Sequence, residues 1–149
     1  LSLEFCPVTR YTNHMNDCLF CKIVKGEIPS EKVYEDEYSY AFLDIRPVNP
    51  GHVLLVPKQH FANLYEMSDD VLANLAPTIK KLGIAIKKAV GADGINVGMN
   101  NDSAAGQLVF HAHIHIMPRH KGDGHEHWHG TPYQNSETNK TATQIKAHL

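Results

Sequence analysis

Apolar residues along the chain recur with two periods, and the switches between them mark the elements. Leu19, Phe20, Ile23 and Val24 recur at helical spacing, so a short helix is predicted there, with Asp17 as its N-cap and Gly26 just past its end. Lys32–Glu35 and Tyr38–Leu43 are β-rich runs joined at Asp36-Glu37 and predict a hairpin. Arg46-Pro47-Val48-Asn49-Pro50-Gly51 is a rigid turn region leading into a strand at His52–Val56, which Pro57 stops. Ser68-Asp69-Asp70 caps a long amphipathic helix whose stripe is Val71, Leu72, Leu75, Ile79, Leu82, Ile86 and Val90. Lys80, Lys81, Lys87 and Lys88 gather in its C-terminal half, where they suit the helix dipole. Pro77 should kink this helix, Gly83 weakens it, and Gly91 ends it. Gly94–Met99 reads as a strand, Asn100–Gly106 as a polar loop, Leu108–Met117 as a long strand and Thr141–His148 as a weak final helix. The early connections are too short for parallel crossovers, so the sheet is expected to be antiparallel and the fold α+β.

Composition narrows the class. The chain has 149 residues, 42% of them hydrophobic and 20% charged, which suits one globular domain and excludes disorder over the whole length. Residues 1–16 are polar and aperiodic and are expected to be an unordered leader or a remnant, with Met15 as the true start. Cys6 then has no function, and 17–149 form a single domain. The longest apolar run, Val53–Val56, is far too short for a membrane span. Fourteen Lys and Arg against sixteen Asp and Glu leave a net charge of -2, which argues against bulk electrostatic binding of nucleic acid. A small phosphorylated ligand needs only local positive potential and is not excluded. Three cysteines make no disulfide scaffold; Cys18-Leu19-Phe20-Cys21, with no signal-like segment, reads as metal-binding or redox in the cytoplasm.

Eleven histidines are the unusual count. In His111-Ala112-His113-Ile114-His115-Ile116 a strand would project the three histidines from one face and bury Ala112, Ile114 and Ile116 on the other. Such a row is open to three readings. It is a solvated face, a metal site shared by neighbouring imidazoles, or a centre for covalent phosphoryl transfer, in which one histidine attacks phosphorus and a neighbour assists the leaving group. The preceding loop, Asn100-Asn101-Asp102-Ser103-Ala104-Ala105-Gly106-Gln107, favours the third: Gly106 lets backbone N–H groups approach an anion.

These residues resemble the histidine triad superfamily, whose mark is His-φ-His-φ-His-φ-φ with φ apolar; His111–Met117 fit it at every position. The likeness runs from about Asp17 to Asp123 and takes in Cys18–Val24, Ala41–Ile45, Gly51–His60 and Ala105–Gln107. It is nearest to the bacterial-type, Hint-like branch, with a Pro118-Arg119…Gly122-Asp123 tail like that of Fhit-like members. The resemblance implies a homodimer whose protomers join into one antiparallel sheet of about five strands each, with one long helix and a short N-terminal one. It implies hydrolysis at the α-phosphate of a purine nucleotide derivative, typically an adenosine 5′-phosphoramidate, through a nucleotidyl-histidine. By motif position His113 is the nucleophile, His115 contacts the phosphate and assists the leaving group, His52 supports the imidazoles, and His111 completes the catalytic row. Asp44 takes the ribose hydroxyls, Phe20, Ile23, Phe42 and Ile45 wall the base, and Asn100, Gly106 and Gln107 form the phosphate loop. Simple core packing competes for the four apolar residues, and turn capping for Asp44. Two rival functions are a dinucleoside polyphosphate hydrolase and a nucleotide-binding protein without turnover; a metal oxygenase using the triad as ligands is a third.

Leu108 departs from the pattern, because the family usually has Ser or Thr there, and a phosphate contact is lost. Relatives with C-x-x-C at this place hold a structural zinc, one per protomer, which implies Cys18, Cys21, His60 and His111 as ligands. An empty pair of reduced, buried thiols is the alternative. His125-Glu126-His127-Trp128-His129 is a second alternating cluster, read as a mobile surface segment, with Trp128 available to stack on a leaving group.

Overall fold

The computed structural model describes residues 17–134 and 137–149; the expected leader at 1–16, with Cys6 and Met15, lies outside them. Helix α1 (Leu19–Val24) is followed by strands β1 (Lys32–Glu35), β2 (Ser39–Leu43) and β3 (Val53–Pro57), then helix α2 (Asp69–Ala89), β4 (Gly94–Gly98), β5 (Ile114–Arg119) and helix α3 (Glu137–Lys146). The strands form one sheet in the order β1-β2-β3-β5-β4, every pair antiparallel, as the short connections predict. Strand β5 is inserted between β3 and β4, with Leu54 opposite His115 on one side and Gly98 opposite it on the other.

Both sheet faces are covered. On one, Leu75, Leu82 and Ile86 of α2 pack on Ala41, Val53, Leu55, Ile114 and Ile116. On the other, Phe20 and Ile23 of α1 pack on Tyr40, Phe42, Leu54 and Val56. Strand β3 is therefore buried on both sides, which is why Val53–Val56 reads as an unbroken apolar run rather than an alternation.

Several boundaries and caps differ from the sequence reading. Helix α1 is capped by Cys18, without a side-chain bond, while Asp17 stays exposed and pairs with Lys22 at 3.3 Å. Helix α2 does start at the Ser68 cap, whose hydroxyl accepts from the Val71 N–H, and it continues through Pro77. Its buried stripe takes in Thr78, whose hydroxyl donates to Asp36, and leaves Leu72 and Val90 exposed. The long strand expected at Leu108–Met117 is shorter and later: 108–113 lie outside the ladder. Pro118 is tolerated inside β5 because β3 has ended by then, its last pairing there being Val53 with Ile116. The final helix begins at Glu137, four residues before its expected start, and buries nothing.

Candidate active site

The histidine segment enters the sheet through a bend, so its three imidazoles take different environments. The Ala112 N–H donates to the Phe61 carbonyl at 2.7 Å, which holds the chain off the ladder until Ile114. His111, 0% exposed, turns toward α1. Its Nδ1 lies 3.4 Å from Cys18 Sγ, 3.5 Å from Cys21 Sγ and 3.3 Å from His60 Nδ1, and Cys21 Sγ lies 3.3 Å from His60 Nδ1. All four ligand atoms fall within 4.8 Å of one another. A zinc tetrahedron with Zn–N of ~2.0–2.1 Å and Zn–S of ~2.3 Å has edges of about 3.3–3.8 Å, so the four residues fit that ion. His111 Nε2–H donates to the Pro57 carbonyl at 2.9 Å, and this leaves Nδ1 as the lone-pair nitrogen facing the cluster. Burial and the adjoining Cys18 thiol push the metal-free Cys21 thiol up to about 11, a cost that a divalent cation would remove.

His113 is 7% exposed and is held by its own backbone: its Nδ1–H donates to the His111 carbonyl at 2.6 Å. Burial lowers its pKa from the ordinary imidazole value, against the pull of that bond and of Asp44, so the ring is neutral and Nε2 carries a lone pair. Phe20 meets it edge-on with ring centres 5.1 Å apart.

His115, on β5, completes a chain of fixed tautomers. The Val48 N–H donates to His52 Nδ1 at 3.1 Å, so the proton of neutral His52 must be on Nε2. That nitrogen is 2.9 Å from His115 Nδ1, which therefore accepts, and the proton of His115 is on Nε2. Burial, reinforced by His113 and His52, pushes His115 down to about 4, and burial lowers His52 as well. The site thus pairs one imidazole with a free lone pair and one with a fixed N–H, their ring centres 5.1 Å apart. Asp44, His52 and His115 also place three ligand atoms together. The Val48 bond keeps the His52 Nε2 proton in place, which suits a hydrogen-bond relay and not a metal. Asp44 caps its own turn by accepting from the Arg46 N–H at 2.8 Å, while its other oxygen lies 3.7 Å from His52 Nε2.

The loop before the histidines is held under strain. Asp102 has φ 69 and ψ 158, a region that is essentially glycine's. Its N–H donates to Gln107 Oε1 at 2.8 Å, and its carbonyl accepts from Ala105 and Gln107. Gln107 Nε2 donates onward to the Ala62 and Val109 carbonyls. Gly106 has φ 87, and a Cβ there would lie 3.3 Å from Asn100 Nδ2.

A family model for the HIT domain matches residues 25–122. The chain is 52% identical over 107 residues to an uncharacterised HIT-like protein of Methanocaldococcus jannaschii, spanning 72% of this chain and 82% of the relative. It is 47% identical over 102 residues to the adenosine 5′-monophosphoramidase hnt1 of Schizosaccharomyces pombe, spanning 68% of this chain and 74% of that one. Among solved structures, a Streptococcus mutans UA159 protein superposes with a TM-score of 0.86 at 45% identity, covering 93% of this chain and 88% of that one. A Zn-bound histidine triad family protein of Mycobacterium smegmatis superposes with a TM-score of 0.71 at 33% identity, covering 90% and 99%.

The chain belongs to the HIT domain family.

In this HIT domain the residues expected around a nucleotide separate into two groups. Phe20, Ile23 and Phe42 are core residues of the α1 face, with Phe20 also touching His113, whereas Ile45 is 94% and Leu108 89% exposed. The Gln107 side chain is buried, with both amide N–H groups and Oε1 hydrogen-bonded to backbone, so it braces the loop. Reading the sequence also missed Val48 and Asn49. Val48 acts through its own backbone, for which residue type gives no signal, and Asn49 Nδ2 donates to the Pro118 carbonyl and the Asp123 carboxylate, partners distant in sequence. A hollow lined by Val48, Asn96, Met117, Arg119, His125 and Trp128 lies along the strand face that His115 shares with Met117 and Arg119.

Proposed function

We propose that this HIT-family hydrolase cleaves the bond between the α-phosphate of a purine nucleotide and its leaving group, with adenosine 5′-phosphoramidates as the substrate class. The observation that carries this is the pair of opposed tautomers: a lone pair on His113 Nε2 beside an N–H on His115 Nε2. In the first step the His113 lone pair forms a bond to phosphorus, and the bond from phosphorus to the leaving group breaks. The electron pair departs with that group, which takes a proton from water. The His115 N–H acts as a hydrogen-bond donor to the phosphoryl group rather than as a net acid, because neutral imidazole that gave up this proton would become an anion. A second water then attacks phosphorus, releasing the nucleoside monophosphate and returning His113 with its lone pair.

Asp44 Oδ2 is available to the ribose hydroxyls, Ile45 supplies apolar surface to the base, and Asn100 and Gly106, on the loop that Gln107 braces, face the phosphate. Cys18, Cys21, His60 and His111 would hold one structural zinc per protomer. Bound there, the ion ties α1 to the first triad histidine and supplies no chemistry to the reaction. The Zn-bound relative and the fitting ligand edges support this. Residues 17–149 form one domain. β4 is a sheet edge with Val97 47% exposed, and pairing through it in a homodimer would continue the sheet. Free Cys18 and Cys21 suit the reducing cytoplasm. Among the described residues no helix is long and apolar enough to cross a membrane.

The test is AMP release from adenosine 5′-phosphoramidate by the native chain and by His113→Ala, run beside a diadenosine polyphosphate. Faster turnover of the phosphoramidate, abolished by the substitution, is expected. Equal turnover by both proteins removes the reading.

A further inference from the structure

We infer that His125 is a positioning residue for the reacting pair, acting through the backbone of Val48; the inference rests on the phosphoryl-transfer reading above. His125 belongs to the second histidine cluster, which the reaction leaves without a role. Its Nε2–H donates to the Val48 carbonyl at 3.0 Å. Val48 in turn donates its N–H to His52, and His52 donates to His115. A line of three hydrogen bonds therefore runs from an exposed tail residue to the N–H that faces the substrate.

Both ends of that line are anchored. The tail is fixed because Arg119 Nη2 donates to the His125 carbonyl at 2.7 Å and the His125 N–H donates to Asp123 Oδ1 at 3.1 Å. The Val48 turn is fixed because Asn49 Nδ2 donates to Pro118 O and to Asp123 Oδ2, each at 2.9 Å. Asp123 also accepts a bidentate pair from Arg119, at 2.7 and 2.9 Å. One carboxylate thus holds the turn and the tail against each other, and His125 closes the clamp over Val48.

The clamp sets a tautomer. With the Val48 N–H in place, His52 can carry its proton only on Nε2. If Val48 swings away, the Nδ1–H form of His52 becomes accessible and the line reverses. His115 must then donate through Nδ1, and its Nε2 turns a lone pair toward an anionic phosphoryl oxygen. The reversal removes the N–H from the phosphoryl oxygen and from the His52 Nε2 position 3.7 Å from Asp44, so kcat/KM carries the effect.

His125→Ala and His125→Gln, made in the full chain, test the inference; the glutamine amide N–H can replace the imidazole donor. Turnover of adenosine 5′-phosphoramidate is measured together with ring-nitrogen NMR of His52 and His115, which reads the tautomers without substrate. The alanine variant should lose about 2- to 12-fold in kcat/KM, the equivalent of one net hydrogen bond. Its His52 signals should gain Nδ1–H character, and glutamine should restore both readouts. Unchanged tautomers in the alanine variant overturn the inference, as does a loss of kcat/KM that glutamine fails to restore. A native chain that releases no AMP overturns the phosphoryl-transfer reading instead, and the ring spectra still decide the role of His125.

Discussion

The strained loop before the histidines gives a prediction whose size follows from the structure. Gln107→Ala removes three side-chain bonds, to the Asp102 N–H and to the Ala62 and Val109 carbonyls. At ~1 kcal/mol each their net loss is about 3 kcal/mol. Part of that returns, because Asp102 is then free to leave its φ of 69 and release about 1–2 kcal/mol of strain. Global stability should therefore fall by only about 1–2 kcal/mol, while the loop itself comes loose. The complementary change, Asp102→Gly, removes the same strain without touching the Gln107 bonds and should stabilise by about 1 kcal/mol. Urea unfolding measures the global terms, and amide hydrogen exchange over residues 100–107 measures the local one. Exchange in Gln107→Ala should accelerate across the loop and AMP binding should weaken. An unprotected loop in the native chain, or an Asp102→Gly variant less stable than the parent, would refute the reasoning.

Other expectations follow from the same geometry. Cys21→Ser should drop bound zinc from one ion per chain toward none and lower the melting temperature; full zinc content in the variant places the ion elsewhere. Because burial holds His113 below the ordinary imidazole value of ~6.5, protonation removes its lone pair only at lower pH. The acid limb of kcat/KM should therefore lie below 6.5, while His115 stays neutral down to about 4; a limb centred at or above 6.5 contradicts this. Leu108→Ser restores a hydroxyl beside the loop and should tighten AMP binding by roughly tenfold, the worth of about 1.5 kcal/mol for a bond to a charged group. Unchanged affinity in a titration would show that the side chain does not reach the phosphate.

Much of this architecture is legible in the sequence because burial dictates it. The Ser68 cap, the helical stripe of α2 and the doubly buried run of β3 leave periodic marks that strand and helix geometry explain. The cysteine pair and the histidine row were equally visible, being residue types with few structural reasons to cluster. The alternation of His111, His113 and His115 nonetheless misled on geometry. A period of two predicts one face only where the ladder continues, and the Ala112–Phe61 bond takes the first two histidines out of it. His111 can thus face the cysteines while His115 faces His52. The Gln107 role was hidden because an amide side chain suits a phosphate and a backbone carbonyl alike. The Val48 and His125 contacts were hidden because their partners are a peptide N–H and a carbonyl, which every residue except proline supplies in full.

In the proposed reaction His113 Nε2 displaces the leaving group and holds the nucleotide covalently. Rapid quenching of a turnover mixture in alkaline denaturant, followed by peptide mass spectrometry under basic conditions, tests it directly, because the P–N bond to imidazole survives base and is cleaved by acid. One nucleotidyl adduct is expected, on the peptide and ring of His113, absent from His113→Ala. An adduct on His115 or on any other residue, or rapid AMP release by the His113→Ala variant, would contradict it.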